Sequence, residues 1–172
     1  MGYGIVIIMK KSFKDSDSFE GRVAFAKEFE RLTNDIINVP QGGSLHESFA
    51  KDDDWVSVQA NGYYYVNFYP NLIRVRTPEQ WGTFCSWDAE PGSPRAAFQR
   101  ILDRIQPEEC WIGSEYANVR VDGKEVSLEG WLESIRKEFE PVEDFDFERI
   151  YEDYKRDVFP QALYRVKNNN LY

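Results

Sequence analysis

One histidine, two cysteines and no long apolar run leave few of the familiar chemistries open to this 172-residue chain. Hydrolytic sites of the Ser-His-Asp or Cys-His type need a histidine to take and return the proton, so here any such site would have to pass through His46. It lies in the glycine-rich stretch GGSLHES with no chemical partner nearby in sequence, which makes it a solvated loop histidine and no catalytic residue. Cys85 and Cys110 cannot make a disulfide framework, and neither stands in a CxxC pair or beside a second metal ligand. Both are read as small hydrophobes. Gly42-Gly43-Ser44 lacks the lysine and glycine spacing of a phosphate-binding P-loop. Asp52, Asp53 and Asp54 lack the alternation, the glycine and the distal glutamate of a calcium loop. No cofactor and no metal are therefore expected. The longest apolar run, Ile5 to Met9, is too short to cross a bilayer and carries none of the pattern of a secretory signal, so a cytoplasmic location is expected.

Positive charge is also scarce. With 21 basic and 30 acidic residues the net charge is -9 and the pI about 4.7. Such a surface repels phosphate backbones and anionic lipid, so neither direct nucleic-acid nor membrane contact is expected, whereas a basic protein is attracted.

Apolar residues make up 42% of the chain and aromatics 16%, enough for a packed core, and no linker or repeat divides it. One domain over 1–172 is expected. Tyr3 to Met9 has the β-branched character of a strand buried on both faces at the centre of a sheet. Phe19, Val23, Ala26, Phe29, Leu32 and Ile36 make a helical stripe, with Ser16 or Asp17 as its cap. Asn38 to Asp54 reads as a loop. Asn61-Gly62 between β-rich runs predicts a two-residue hairpin turn, and Pro70-Asn71 a second turn into a strand that Pro78 ends. Ser93-Pro94 opens a helix through Ile101, Leu102 and Ile105. Cys110 to Ile112 suggests a short strand, and Asp122-Gly123 a further hairpin. Ser127 caps a helix with Leu128, Trp131, Leu132 and Ile135, another runs from about Asp146 to Phe159, and the tail from Asn168 frays. The sum is an α+β fold: an antiparallel or mixed sheet, with a central N-terminal strand plus Asn-Gly and Asp-Gly hairpins, covered by about four helices.

Between Glu138 and Asp153 eight acids face one base, Arg149, with Phe139, Phe145, Phe147 and Tyr151 interleaved. Acidic residues around aromatic anchors suit a basic protein partner: the field attracts and the rings grip. Glu140, Glu143, Asp144, Phe145, Glu148 and Glu152 are the candidate partner-binding residues; the alternative is a solvated face, with Phe147, Ile150 and Tyr151 at helical spacing turned to the core and the acids complementing the dipole of a helix start. In the tyrosine-rich strand Tyr63, Tyr65 and Tyr69 share one face, which is either a second adhesive candidate or, as is commoner, a set of buried rings whose hydroxyls reach the surface. In size, acidity and aromatic content the chain resembles the immunity proteins that bacteria make against their own or neighbours' toxins. That resemblance implies a non-enzymatic inhibitor occluding the basic active site or nucleic-acid-binding cleft of a toxin. The alternatives are a phage-type inhibitor or DNA mimic, and a hydrolase or transferase with a carboxylate-based site.

Overall fold

The computed structural model describes residues 4–37, 44–46, 56–60, 64–70, 72–80, 94–114, 128–135, 139–142, 150, 152, 155, 156 and 162–171. Among the described residues eight strands form one sheet: β1 (Gly4–Lys10), β2 (Ser44–His46), β3 (Val56–Ala60), β4 (Tyr64–Phe68), β5 (Ile73–Gln80), β6 (Glu109–Ser114), β7 (Glu140–Val142) and β8 (Ala162–Val166). Their order is β2-β3-β4-β5-β1-β6-β8-β7. All neighbours are antiparallel except β7 and β8, which run parallel. The sheet is therefore mixed, and the N-terminal strand is central as its unbroken apolar run predicts.

The alternation of side chains along each strand divides the interior into two layers. Ile5, Ile7 and Met9 of β1 join Val66, Phe68, Ile73, Val75, Cys110, Ile112 and Tyr164 on one face. There α1 (Phe19–Ile37) contributes Ala26 and Phe29, and α2 (Pro94–Ile105) contributes Phe98, Ile101, Leu102 and Ile105. On the other face Val6, Ile8, Trp111 and Leu163 pack with Leu128, Trp131 and Leu132 of α3 (Leu128–Ile135). Of the expected core positions Ile5, Val6, Ile7, Phe29, Ile101, Leu102, Trp131 and Ile150 are all buried, while the side chain of Leu32 lies outside what is described.

Several expectations change. Three helices, rather than about four, are delineated among the described residues. Of the expected last helix only Ile150, Glu152 and Lys155 are described as helical, with the Arg156 amide donating to the Glu152 carbonyl at 3.1 Å. The cap of α1 is Ser18, whose Oγ accepts from the Gly21 amide at 3.0 Å while donating to the Asp15 carbonyl at 3.0 Å. Ser16 instead offers its carbonyl to Arg22. The predicted 38–54 loop contains the short strand β2. Ala60 pairs with Tyr64, so three residues separate the paired positions where a two-residue Asn-Gly turn would leave two. The turn itself and the Asp122-Gly123 hairpin lie outside the described residues, as does Trp81 to Trp87, whose sequence suits either a short strand or an irregular aromatic segment.

Around Pro70-Asn71 the second hairpin closes as expected, the Tyr69 amide donating to the Leu72 carbonyl at 2.8 Å. Pro78 does not end β5. The register shifts there, from Ile5 opposite Thr77 to Gly4 opposite Gln80, and a proline without an amide hydrogen is tolerated where the ladder is interrupted. The C-terminal segment does not fray either. Beyond the unforeseen strand β8 the chain turns at 167–169, and Leu171 is 0% exposed in the first core layer. Gln99 of α2 holds it from both sides, donating to the Asn169 carbonyl at 2.7 Å and accepting from the Leu171 amide at 2.7 Å. Arg95 donates to the Leu171 carbonyl.

Candidate functional site

The acidic segment begins at the edge of the sheet. Glu140 opens β7, opposite Ala162, and Pro141 follows it. A proline in a three-residue edge strand removes a donor that another chain could use, which blunts the edge. Phe139, expected among the aromatic anchors, is buried with Trp131 and Leu132 and so belongs to the core. Glu143, Asp144, Phe145 and Glu148 lie outside the described residues, as do Phe147 and Tyr151. Glu152 is exposed, and its carboxylate accepts from Lys155 Nζ at 2.8 Å. That hydrogen bond, and then the lysine charge, hold the carboxyl below the usual glutamate range. Lys155 and Arg156 thus dilute the negative field at the end of the segment.

At its beginning the field is extended by residues that sequence reasoning passed over. Because Phe139 packs with α3, the segment starts near the helix whose outer surface carries Glu129 and Glu133, both exposed and one helical turn apart. Glu129 accepts from Lys10 Nζ at 2.9 Å, tying α3 to β1, and the pair lowers the Glu129 pKa while raising that of Lys10. The LEGWLESI spacing, with glutamates opposite Leu128, Trp131 and Leu132, was the legible signal.

A second cluster lies on the α3-side face, in the half of the sheet beyond β1. Cross-strand register there makes one row of His46, Ser57, Asn67, Arg74, Ile8, Trp111 and Arg165. The next row aligns Gln59, Tyr65, Arg76 and Val6. The character of the face thus changes between β1 and β5, from apolar to polar. His46 is placed in a strand at the end of this row, not in a loop; its side chain lies outside what is described.

Asn67 is 0% exposed, and neither Oδ1 nor Nδ2 has a hydrogen-bond partner. Each buried polar group left so costs about 1–3 kcal/mol. Its neighbour across the ladder, Arg74, is 7% exposed, with its guanidinium carbon 5.7 Å from the centre of the Tyr69 ring. Burial lowers the Arg74 pKa, against the opposing influence of Tyr69, and Arg76 beside it adds to the lowering. Burial likewise holds the Tyr69 phenol above its ordinary value, partly offset by Arg74. Asn67 stands close enough to favour the ionised phenol, although its amide atoms fall short of hydrogen-bonding geometry. Tyr69 is thus buried and not part of an adhesive surface ladder; Tyr63 and the side chain of Tyr65 lie outside the described residues.

Cys110 is fully buried in the first core layer, and desolvation pushes its thiol far up, so it is a packing residue as expected. Cys85, Gly42-Gly43 and Asp52 to Asp54 lie outside the described residues. No helix among the described residues is long and apolar enough to cross a membrane. Comparison of the chain with protein-family models, curated proteins and solved structures finds no match.

Proposed function

We propose that the chain is a non-enzymatic, acidic protein-binding domain of the immunity type, which occludes the basic active site or nucleic-acid-binding cleft of a toxin. The observation that carries this reading is the sorting of charge by depth. The buried charged residues among those described are both arginines, Arg22 at 4% and Arg74 at 7% exposure. Among the described residues Asp15, Asp17, Glu20, Glu28, Asp103, Glu108, Glu129, Glu133 and Glu152 are all exposed, against the exposed bases Lys14, Lys27, Arg104, Lys155, Arg156 and Lys167. Withdrawing cations into the interior leaves the outer surface more negative than the formal charge of -9 implies. A field of that sign accelerates encounter with a basic partner, and a few apolar anchors then set how long the complex lasts. The acidic segment and the outer side of α3 form the contact face, with Glu140, Glu143, Asp144 and Glu148 steering and Phe145 anchoring. Cytoplasmic placement and a single folded unit over 1–172 accompany this reading.

The test is binding kinetics against whatever basic toxin-type domain the neighbouring gene is found to encode. Reversing Glu140, Glu143, Asp144 and Glu148 to Lys is expected to slow association, and raised salt to do the same, since the Debye length falls from about 10 Å at 0.1 M to about 3 Å at 1 M. Phe145→Ala is expected to speed dissociation. Association insensitive both to reversal and to salt would remove the acidic face from the mechanism. A complex formed instead with a nucleic-acid-binding enzyme of the host would favour the DNA-mimic alternative.

A further inference from the structure

We propose that the strap Asn169 to Leu171 exchanges between two copies of this chain, so that the Leu171 of each fills the seat formed by α2 and the turn after it in the other. The seat holds the strap mainly by its backbone. Gln99 donates to the Asn169 carbonyl and accepts from the Leu171 amide, each at 2.7 Å, and Arg95 donates to the Leu171 carbonyl at 3.1 Å. Asn169 Nδ2 donates to the Pro107 carbonyl at 3.2 Å, and the Leu171 side chain is enclosed in the first core layer. The occupant whose fit the structure shows is this segment, so the partner it selects is a second copy.

A hinge precedes the seated atoms. Val166 and Asn170 are extended, at φ -83° and -116°, but Asn168 and Asn169 between them lie in the left-handed region at 53° and 52°. This backbone closes a tight turn, in which the Asn170 amide donates to the Lys167 carbonyl at 3.1 Å. Glycine adopts it freely, whereas a residue with a Cβ, asparagine included, holds it at a cost. Rotating the Asn168 torsions and the Asn169 φ to extended values removes that cost and swings the strap off its own seat. The turn hydrogen bond is given up. The contacts with Gln99, Arg95 and Pro107 all act on atoms beyond these torsions, so a second copy can make them in the same form. A short strained hinge invites exchange of this kind, and mutual exchange closes under two-fold symmetry. Straightened, the three steps from Val166 to Asn169 span about 10 Å, so the two seats must face each other across the hinges. Lys167 and Asn168 are exposed there and leave room for the approach. A net charge of -9 on each copy opposes the encounter, so salt favours the dimer. The exchange uses neither the acidic segment nor α3 and is independent of the toxin-binding reading.

The experiment measures the mass of the full chain by size exclusion with light scattering, from micromolar to millimolar concentration. A dimer is expected that grows with concentration and grows further as salt is raised. Asn168→Pro fixes φ at about -65° and forbids the turn, so it is expected to strengthen dimerisation about a hundredfold; Asn168→Gly relaxes the turn and is expected to weaken it about tenfold. Exchange is told from any other dimer by mixing isotope-labelled with unlabelled chains, since Leu171 then shows NMR contacts to α2 of the other copy. Those contacts are sought in the wild-type protein at millimolar concentration as well, which decides the question should Asn168→Pro fail to fold. A wild-type chain that stays monomeric throughout, a folded Asn168→Pro chain that dimerises no more strongly, or a dimer in which Leu171 touches only its own α2 would overturn the proposal and leave the strap a fixed part of the core.

Discussion

A side chain at position 21 would collide with the Asp15 carbonyl, which turns back toward the first turn of α1 and already accepts from the Ser18 hydroxyl. Only glycine leaves room for that approach, and Asp15 itself sits at a φ of 56° to make it. Gly21→Ala is therefore expected to cost about 1–3 kcal/mol, the range for overfilling a tight contact, and to lower Tm by a few degrees in a thermal melt. Ser18→Ala, which removes the cap, is expected to cost about 1 kcal/mol. At Cys110 the deeply buried thiol predicts that, in a Cys85→Ser background, a thiol reagent labels the native protein only as fast as it opens. Labelling within mixing time under native conditions would contradict its place in the core.

Helices and strands announced themselves in proportion to the length of their pattern. β1, α1, α2 and α3 were legible because each repeats its apolar period over more than one turn or pleat. β2, β7 and β8 were not. β2 and β7 are three residues long, too short for any alternation, and β8, with the sequence ALYRV, follows a proline and precedes an asparagine run that reads as a tail. What holds that tail is Gln99, a residue whose role depends wholly on a long-range partner. Leu171→Ala is expected to cost about 2–5 kcal/mol, the range for emptying a core leucine site, measurable by urea unfolding. An effect below half a kilocalorie would mean the tail is only laid on the surface. The links between elements also set the acid limb. Glu108, held by the Ser12 amide at 3.1 Å, and Glu129, held by Lys10, both ionise more readily than free glutamate. A carboxylate depressed in the folded state stabilises above its unfolded pKa of about 4.3, and the contribution is lost as pH falls through the lower folded value. Tm is thus expected to decline below about pH 4.3, with a shallower decline in the double variant Glu108→Gln, Glu129→Gln; since both groups are exposed, the difference is small.

For the molecule as a whole, charge was readable from composition but its arrangement was not. The acidic stretch is plain in the sequence, whereas the dilution by Lys155, the contribution of Glu129 and Glu133, and the inward placement of Phe139 emerge only from packing. The row from His46 to Arg74 was equally hidden, since register alone brings together residues from four separate strands. Moderate salt should slow any partner's association while leaving Tm little changed, because the core layers are apolar and the exposed ion pairs contribute little. The strand order carries one more consequence. β8 lies between β6 and β7, and among the described residues β7 has no other neighbour in the sheet. During synthesis, therefore, β6 leaves the ribosome with one side open, and β7 follows with nothing to pair with, until Ala162 to Val166 arrive to bridge them. For that interval the nascent chain exposes the ladder of a strand bearing Trp111 and Ile112, the kind of bare edge that recruits other chains. Until Ala162 to Val166 pair, the burden of keeping that edge apart falls on chaperones.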